Sequence, residues 1–240
     1  MEVKFDPVLT DINAISTKDN SFLVYHYLIP SLKQAINEHA KGNLIDLGCG
    51  NRPYQHLLQG KINAYTGCDF VQNSKQSVDL ICDVTRVPLP DESFDTCLST
   101  QVLEHIPDPD ALIREACRLL KPGGVLILSA PLYWPEHGEP YDYNRFTSFG
   151  LTERLSRLGF ANIRIIANGG AWATAGQSFA HAFMYSSSRS FLFRLLRFLF
   201  YRLQLIRVSN RIISYMDKKD YNPVNTMNYV VTAQKSAVDR

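Results

Sequence analysis

Short apolar runs that alternate with helical patterns constrain this chain more than any other feature. Leu44–Leu47, Ala64–Cys68, Val78–Cys82, Thr96–Ser99 and Val125–Ala130 each have the length of a buried strand. Helical patterns start near Pro53 and near Asp110. The second runs Ala111–Leu120, with Lys121-Pro122-Gly123-Gly124 as its stop. Near-continuous apolar strands between helices predict a parallel sheet covered on both faces. Ahead of them, Ser21–His39 carries Phe22, Leu23, Leu28, Leu32 and Ile36 at helical spacing, and Pro30 is expected to kink or divide that helix. Only about ten residues join the second and third strands, too few for a helical crossover, so a loop or single turn is expected there.

Beyond the fifth strand, Leu132–Thr147 is dense in Pro, Tyr, His and charge and reads as a functional loop. A helix over Ser148–Leu158, a strand over Ile163–Ala167 and a last strand over Asn228–Ala233 follow. The stretch between those two strands is far longer than a connection and is expected to be a helical insertion. The expected organisation is a single domain over 1–240. It divides into an N-terminal helical segment (1–42), a core (43–167), a basic helical insertion (168–223) and the last strand with its tail (224–240).

The chain's 240 residues have a formal net charge of only +2, which excludes a strongly basic nucleic-acid binder. That balance hides an asymmetry. Nine of the 25 basic residues, all Arg, lie between Arg154 and Met216 without one Asp or Glu; the other sixteen face all 23 acids elsewhere. The five cysteines are widely spaced and form no CxxC pair, so neither a disulfide framework nor a metal site is expected, and a reducing cytosol fits. Met1–Thr10 shows no apolar leader, and the most apolar stretch, Phe191–Ile206, is interrupted by Arg194, Arg197 and Arg202. A cytoplasmic protein is expected.

The sharpest local signal is Leu44-Ile45-Asp46-Leu47-Gly48-Cys49-Gly50-Asn51-Arg52-Pro53: a buried strand running into a glycine-rich turn. Glycines let backbone N–H groups and a ligand approach closely. The dinucleotide fingerprint needs a third glycine where Pro53 stands, which disfavours a nicotinamide oxidoreductase. Asp46 points the same way. A carboxylate just before the glycines repels a pyrophosphate but suits a ligand with an ammonium group. Asp69 lies 19 residues after Gly50, about the spacing at which a strand-end acid reaches a ribose.

Asp46-Leu47-Gly48-Cys49-Gly50 resembles motif I of the class I S-adenosylmethionine-dependent methyltransferases, and further pieces follow in order. Tyr65-Thr66-Gly67-Cys68-Asp69 resembles their second strand, with the acid that holds the ribose hydroxyls. Asp83-Val84 resembles the pair at the adenine. Ser93-Phe94-Asp95 through Thr100-Gln101-Val102-Leu103-Glu104-His105-Ile106 resembles the fourth strand and turn of the small-molecule branch, which includes ubiquinone and menaquinone methyltransferases. Arg118-Leu119-Leu120-Lys121-Pro122-Gly123-Gly124 resembles the helix and turn before strand five. The resemblance implies an α/β, doubly wound, Rossmann-like seven-stranded sheet with its last strand antiparallel and an insertion between strands six and seven. It implies S-adenosylmethionine as cofactor, held by Asp46, Gly48, Cys49, Gly50, Asp69, Phe70, Asp83, Val84, Thr100 and Gln101.

Methyl transfer from a sulfonium needs alignment, desolvation and, for a hydroxyl acceptor, a base. His137 and His105 are the candidate bases; Tyr133, Asp142, Tyr143 and Arg145 are candidate acceptor-binding residues. Asp142 and Arg145 have a second reading, as a pair that holds the loop. The expected acceptor is a small or lipid-linked molecule, more readily methylated at oxygen. DNA is not expected, because the Asn/Asp-Pro-Pro-aromatic motif is replaced by Ser99-Thr100-Gln101-Val102 and no Pro-Cys nucleophile is present. The competing reading is a catalytically idle scaffold acting through the insertion. There Leu192, Leu195, Leu196, Leu199, Leu203 and Ile206 form one expected stripe, with Arg194, Arg197, Arg202, Arg207 and Arg211 around it. Peripheral contact with the inner membrane face and a homodimer partner both fit such a helix.

Overall fold

A computed structural model describes residues 15–186 and 188–237. The expectation for Met1–Thr10 lies outside the described residues. Seven strands form one sheet: β1 (Gly42–Leu47), β2 (Ile62–Asp69), β3 (Leu80–Ile81), β4 (Phe94–Thr100), β5 (Leu120–Pro131), β6 (Phe160–Asn168) and β7 (Asn228–Lys235). Their order is β3-β2-β1-β4-β5-β7-β6. The first five run parallel, and β7 lies antiparallel between β5 and β6. This is the expected architecture.

The period-two alternation divides the strand residues between two cores. Ile45, Leu47, Cys97, Leu126 and Leu128 pack on one face, under α2 (Pro109–Leu119) and α3 (Ser148–Arg157). Leu44, Leu98, Val125 and Ile127 pack on the other, under α1 (Phe22–His39). Helix α1 passes through Pro30 without a break, so of the kink or division expected there the division is corrected.

Helix α2 starts where sequence chemistry directs, with the Asp108 side chain accepting from the Asp110 amide and Pro109 in the first turn. The chain is already extended from Leu120, so Lys121-Pro122-Gly123-Gly124 begins β5 instead of ending the helix. Residues 70–79 carry no helix, as their length requires. The helix expected near Pro53 is absent: a 3-10 turn over Gln55–Leu58 stands in its place. Arg52 takes a left-handed conformation (φ 55°), and the segment must return to β2 at Ile62. That leaves room for one buried turn, capped inward by Tyr54 and Leu58.

The insertion forms α4 (Ala171–Met184), α5 (Phe191–Arg202) and α6 (Leu205–Lys219). Buried Asp217 of α6 accepts from the amides of Gly170 (3.0 Å) and Ala173 (3.0 Å), which caps the start of α4 and ties the two helices together. The continuous leucine stripe is corrected. Gln204 takes a left-handed conformation (φ 52°) and ends α5, so Ile206, Arg207 and Arg211 lie on a different helix from Leu192–Leu199. Phe200 and Ile206 point into a small core with Ala180, while Leu192, Leu195, Leu196 and Leu203 are exposed.

The nine arginines also divide. Arg154 and Arg157 both pair with Asp110, and Arg164 with Glu38. The six between Arg189 and Arg211 have no acidic partner among the described residues.

Candidate active site

The strand ends of β1 and β2 build one half of the site. Asp46 is buried, and its Oδ2 accepts from the Tyr65 hydroxyl at 2.6 Å, while its Oδ1 has no partner among the described residues. Burial raises the Asp46 carboxyl to about 7, against the pull of the Tyr65 hydrogen bond. Beyond it the turn is pinned, because the amides of Gly48 and Cys49 both donate to the Cys68 carbonyl. Gly48 (φ +80°) is required here: a Cβ would stand 2.4 Å from Val102. Gly50 (φ +47°) differs, since a Cβ there meets no atom within 4 Å and the turn faces open space.

Asp69 closes the opposite side. Its carboxylate accepts from the Gly50 amide at 2.9 Å and the Phe70 amide at 2.8 Å, so the acid at the end of β2 holds the glycine turn of β1. Burial raises its carboxyl and those amides oppose the shift. Arg52 pairs with Asp79 at 2.6 Å and lies 4.8 Å over the Tyr65 ring. Asp83 is exposed and bonds the amide and hydroxyl of Thr85, forming a local turn. Val84 belongs to the core, so only its backbone is left to face a ligand. Cys49 is buried likewise. At the end of β4, Gln101 is left-handed (φ 54°) and its side chain turns back to the Ser129 hydroxyl at 3.0 Å, next to Thr100.

The loop after β5 builds the other half and is clamped from both ends. The amides of Tyr143 and Asn144 donate to the Glu104 carbonyl, and the Phe146 amide donates to Pro131. Asp142 and Arg145 form a two-bond pair (2.6 and 2.8 Å), and Arg145 also reaches the carbonyls of Trp134 and Pro135. Burial works against the Asp142 carboxylate, yet Arg145 and the His137 amide hold it down at about 2. These two proposed acceptor contacts thus spend their charges on each other and on the loop. Tyr143 is about half exposed, and Tyr133 is partly buried with its ring 6.5 Å from His181 of α4.

Both candidate bases meet. The rings of His105 and His137 lie edge to face at 4.8 Å. His105 Nδ1 stands 2.6 Å from the Tyr141 carbonyl, and His137 Nδ1 stands 3.2 Å from the Pro135 carbonyl and 3.3 Å from Asp142. Carbonyl and carboxylate oxygens only accept, so each Nδ1 carries a proton, which leaves Nε2 as the ring nitrogen directed away from these partners. Burial also lowers the His105 pKa, which favours its neutral ring. Tyr141 links the halves: its carbonyl holds His105 and its ring meets Phe70, beside Asp69, at 6.4 Å.

Two residues escaped the sequence reading. Tyr65 fixes Asp46, a contact between adjacent strands that no motif marks. Glu104 is fully buried beside the histidines, neither carboxylate oxygen has a partner among the described residues, and burial raises its carboxyl to about 8. An acid flanked by Val102, Leu103 and Ile106 in a short turn was the available signal.

Residues 45–128 match the family model described as "Methyltransferase domain". Over 101 residues the chain is 30% identical to a malonyl-[acyl-carrier protein] O-methyltransferase of Serratia marcescens (39% of this chain, 40% of the relative). Over 110 residues it is 32% identical to a probable tRNA methyltransferase 9B of Homo sapiens (41% and 24%). Over 129 residues it is 27% identical to a ubiquinone biosynthesis O-methyltransferase of Idiomarina loihiensis (46% and 53%). The matched region thus spans about half or less of these relatives' lengths. Among solved structures, the methyltransferase in complex with the Haloferax volcanii Trm112 activator superposes with a TM-score of 0.55 at 19% identity, covering 98% of this chain and 99% of that one. The [4+2]-cyclase SpnF superposes at 0.54 with 20% identity, covering 89% and 82%. These likenesses are likenesses of fold.

Proposed function

We propose that this chain, a class I methyltransferase by fold and by the sequence match of its centre, transfers the methyl group of S-adenosylmethionine to a hydroxyl of a small or lipid-linked acceptor. The observation that carries the reading is the buried Asp46 carboxylate, whose free oxygen lies below a glycine turn that opens onto empty space. An unpartnered buried carboxylate calls for a cationic ligand, and the ammonium of S-adenosylmethionine supplies one. Asp46, Gly48, Cys49 and Gly50 would hold the amino-acid end. Asp69 would hold the ribose, with Phe70, Asp83, the backbone of Val84, Thr100 and Gln101 around the base and wall. When bound, the cofactor supplies a methyl already activated on a sulfonium.

The chain's remaining work is at the acceptor. The loop held by Asp142–Arg145 excludes water and positions the acceptor, with Tyr133 and Tyr143 along its course. The Nε2 atoms of His105 and His137 are the groups that would relieve a hydroxyl of its proton as the oxygen becomes nucleophilic. Two O-methyltransferases among the relatives support oxygen as the acceptor atom. No described helix is long and apolar enough to cross a membrane. A lipid-linked acceptor is supported instead by α5, which exposes Phe191, Phe193 and Phe198 beside unpaired arginines. Its neighbour α4 brings His181 within 4.7 Å of Trp134 in the acceptor loop.

The test is formation of S-adenosylhomocysteine with hydroxylated aromatic, polyprenyl-linked, acyl-carrier and tRNA acceptors offered in parallel. Turnover on a hydroxyl of a small or lipid-linked acceptor supports the reading. Methylation of tRNA alone replaces it. No turnover despite cofactor binding leaves the scaffold alternative.

A further inference from the structure

Glu104 poses a problem that methyl transfer by itself does not solve. Its carboxylate is fully buried, yet neither oxygen has a hydrogen bond from any described group. Leaving both oxygens of a buried carboxyl without a donor is strongly unfavourable. The Arg145 guanidinium, whose charge acts on Glu104, is already engaged by Asp142 and by three backbone carbonyls. What stands next to Glu104 is a pair of imidazoles. One ligand atom each from Glu104, His105 and His137 lie within 4.8 Å of one another.

We infer that Glu104, His105 and His137 form a binding site for one divalent transition-metal ion on the acceptor side of the cofactor site. The arrangement around the histidines supports it. Metal-bound histidines donate their other ring N–H to a carbonyl or carboxylate, which fixes the tautomer and aims the free nitrogen. Both histidines here do so: His105 through Nδ1 to Tyr141, and His137 through Nδ1 to Pro135 and Asp142. Asp142 is itself held by Arg145, so the supporting shell extends one layer further. Gly138 (φ +65°) lets the loop backbone close over this spot, for a Cβ there would stand 3.1 Å from His105 Cε1.

Two imidazoles and one carboxylate are the donor set of open, catalytic sites for zinc or ferrous iron, not of oxygen-only magnesium or calcium sites. Bonds of about 2.0–2.2 Å to a shared ion would draw the three ligand atoms closer than the 4.8 Å within which they now lie. Three protein ligands leave positions free for an acceptor oxygen. With the ion bound the two imidazoles are ligands in place of bases, and a hydroxyl bound to the ion would release its proton to solvent at lower pH than it does in water. The oxygen–carbon bond then forms as the carbon–sulfur bond breaks, and the sulfonium departs as a neutral thioether. This role favours acceptors that chelate, such as vicinal hydroxyls or an enolic hydroxyl beside a carbonyl. The role rests on the methyl-transfer reading; the ion site does not.

The test uses the full chain without an affinity tag, stripped by chelator, and titrated with Co2+ and with Zn2+ in the absence of cofactor and acceptor. Elemental analysis, calorimetry and the visible absorption of bound Co2+ give stoichiometry, affinity and geometry. One ion per chain is expected, with Zn2+ displacing Co2+ and a hundredfold excess of Mg2+ failing to do so. Glu104→Gln and His137→Ala should each weaken binding by roughly tenfold or more, while His56→Ala, far along the chain in the turn before β2, leaves it unchanged. Glu104→Gln keeps the buried volume; His137 lies on a partly exposed loop, so the two variants place different demands on folding. Absence of stoichiometric binding, or binding that neither variant weakens, overturns the site. Because no methyl transfer enters the measurement, its failure and the failure of the catalytic reading are distinguishable.

Discussion

The Tyr65 hydroxyl donates to Asp46 at 2.6 Å, so a tyrosine of the second strand sets the only hydrogen bond, among the described residues, of the carboxylate near the end of the first. Its companion oxygen stays free, and burial holds the pair's carboxyl near 7. Two consequences follow in opposite directions. The Asp46 pKa is raised above its unfolded value, so the native state holds the proton more tightly. The ligand-free chain therefore loses stability as pH rises from the ordinary carboxylate range toward about 7. An ammonium ligand needs the charged form. Affinity for S-adenosylmethionine should accordingly rise with pH through about 7, until the ligand's own amine starts to deprotonate near 8. Calorimetry between pH 6 and 7.5 should show that rise in wild type and a flat, weak profile in Asp46→Asn. Tyr65→Phe should lower thermal stability by about 1–3 kcal/mol, because it strands the second oxygen as well.

Gly48 and Gly50 are separable by substitution. Gly48→Ala forces a Cβ against Val102 at a positive φ and should lower the melting temperature by several degrees. Gly50→Ala also carries a positive φ but meets no protein atom, so its larger effect should fall on cofactor affinity. Equal affinity losses with intact folding in both variants would contradict this division.

The Asp142–Arg145 pair should act on the loop more than on the cofactor. Asp142 is depressed to about 2, so its contribution is present above the ordinary carboxylate range and is lost as pH falls from there toward 2. Arg145→Lys keeps the charge but loses the fork that bridges Asp142, Trp134 and Pro135. Hydrogen exchange of residues 133–146 should quicken and turnover should drop by about 10²-fold, with cofactor affinity near wild type. Protection unchanged in that segment would remove the pair from the loop's support.

The exposed face of α5 makes a salt-sensitive prediction. Arg194 and Arg202 sit on α5 and Arg211 on α6, and none has an acidic partner among the described residues. At about 1 kcal/mol per engaged basic residue, removing three should cut binding to anionic vesicles by about two orders of magnitude. Co-sedimentation of wild type and an Arg194/Arg202/Arg211→Gln variant, at low and high salt, measures this. A wild type without preference for anionic over neutral vesicles would turn the face toward a protein partner or a second copy.

The legibility of the sequence was uneven for physical reasons. The sheet could be read because Leu44–Leu47 and Val125–Ala130 are buried on both faces and, apart from Asp46 and Ser129, are apolar. Asp46, Gly48, Gly50 and Asp69 could be placed because strand ends and a glycine turn impose fixed spacing. The break after α5 could not, since Gln204 adopts a left-handed conformation without Gly, Asn or Pro to mark it. The turn at Pro53 misled because proline suits the first position of a helix whether or not the chain has room to continue one. Glu104 was missed for a different reason: only the fold shows that no described group donates to its carboxylate.

The cofactor site is tested most directly by equilibrium binding of S-adenosylmethionine to wild type and to Asp69→Ala. Asp69 is the acid that joins the two strand ends, and a ribose would lose a charged acceptor with it. One molecule bound per wild-type chain is predicted, with affinity weakened by about 1–3 kcal/mol in Asp69→Ala and the fold retained. No binding to the wild type, or equal affinity in a folded Asp69→Ala, would contradict the account.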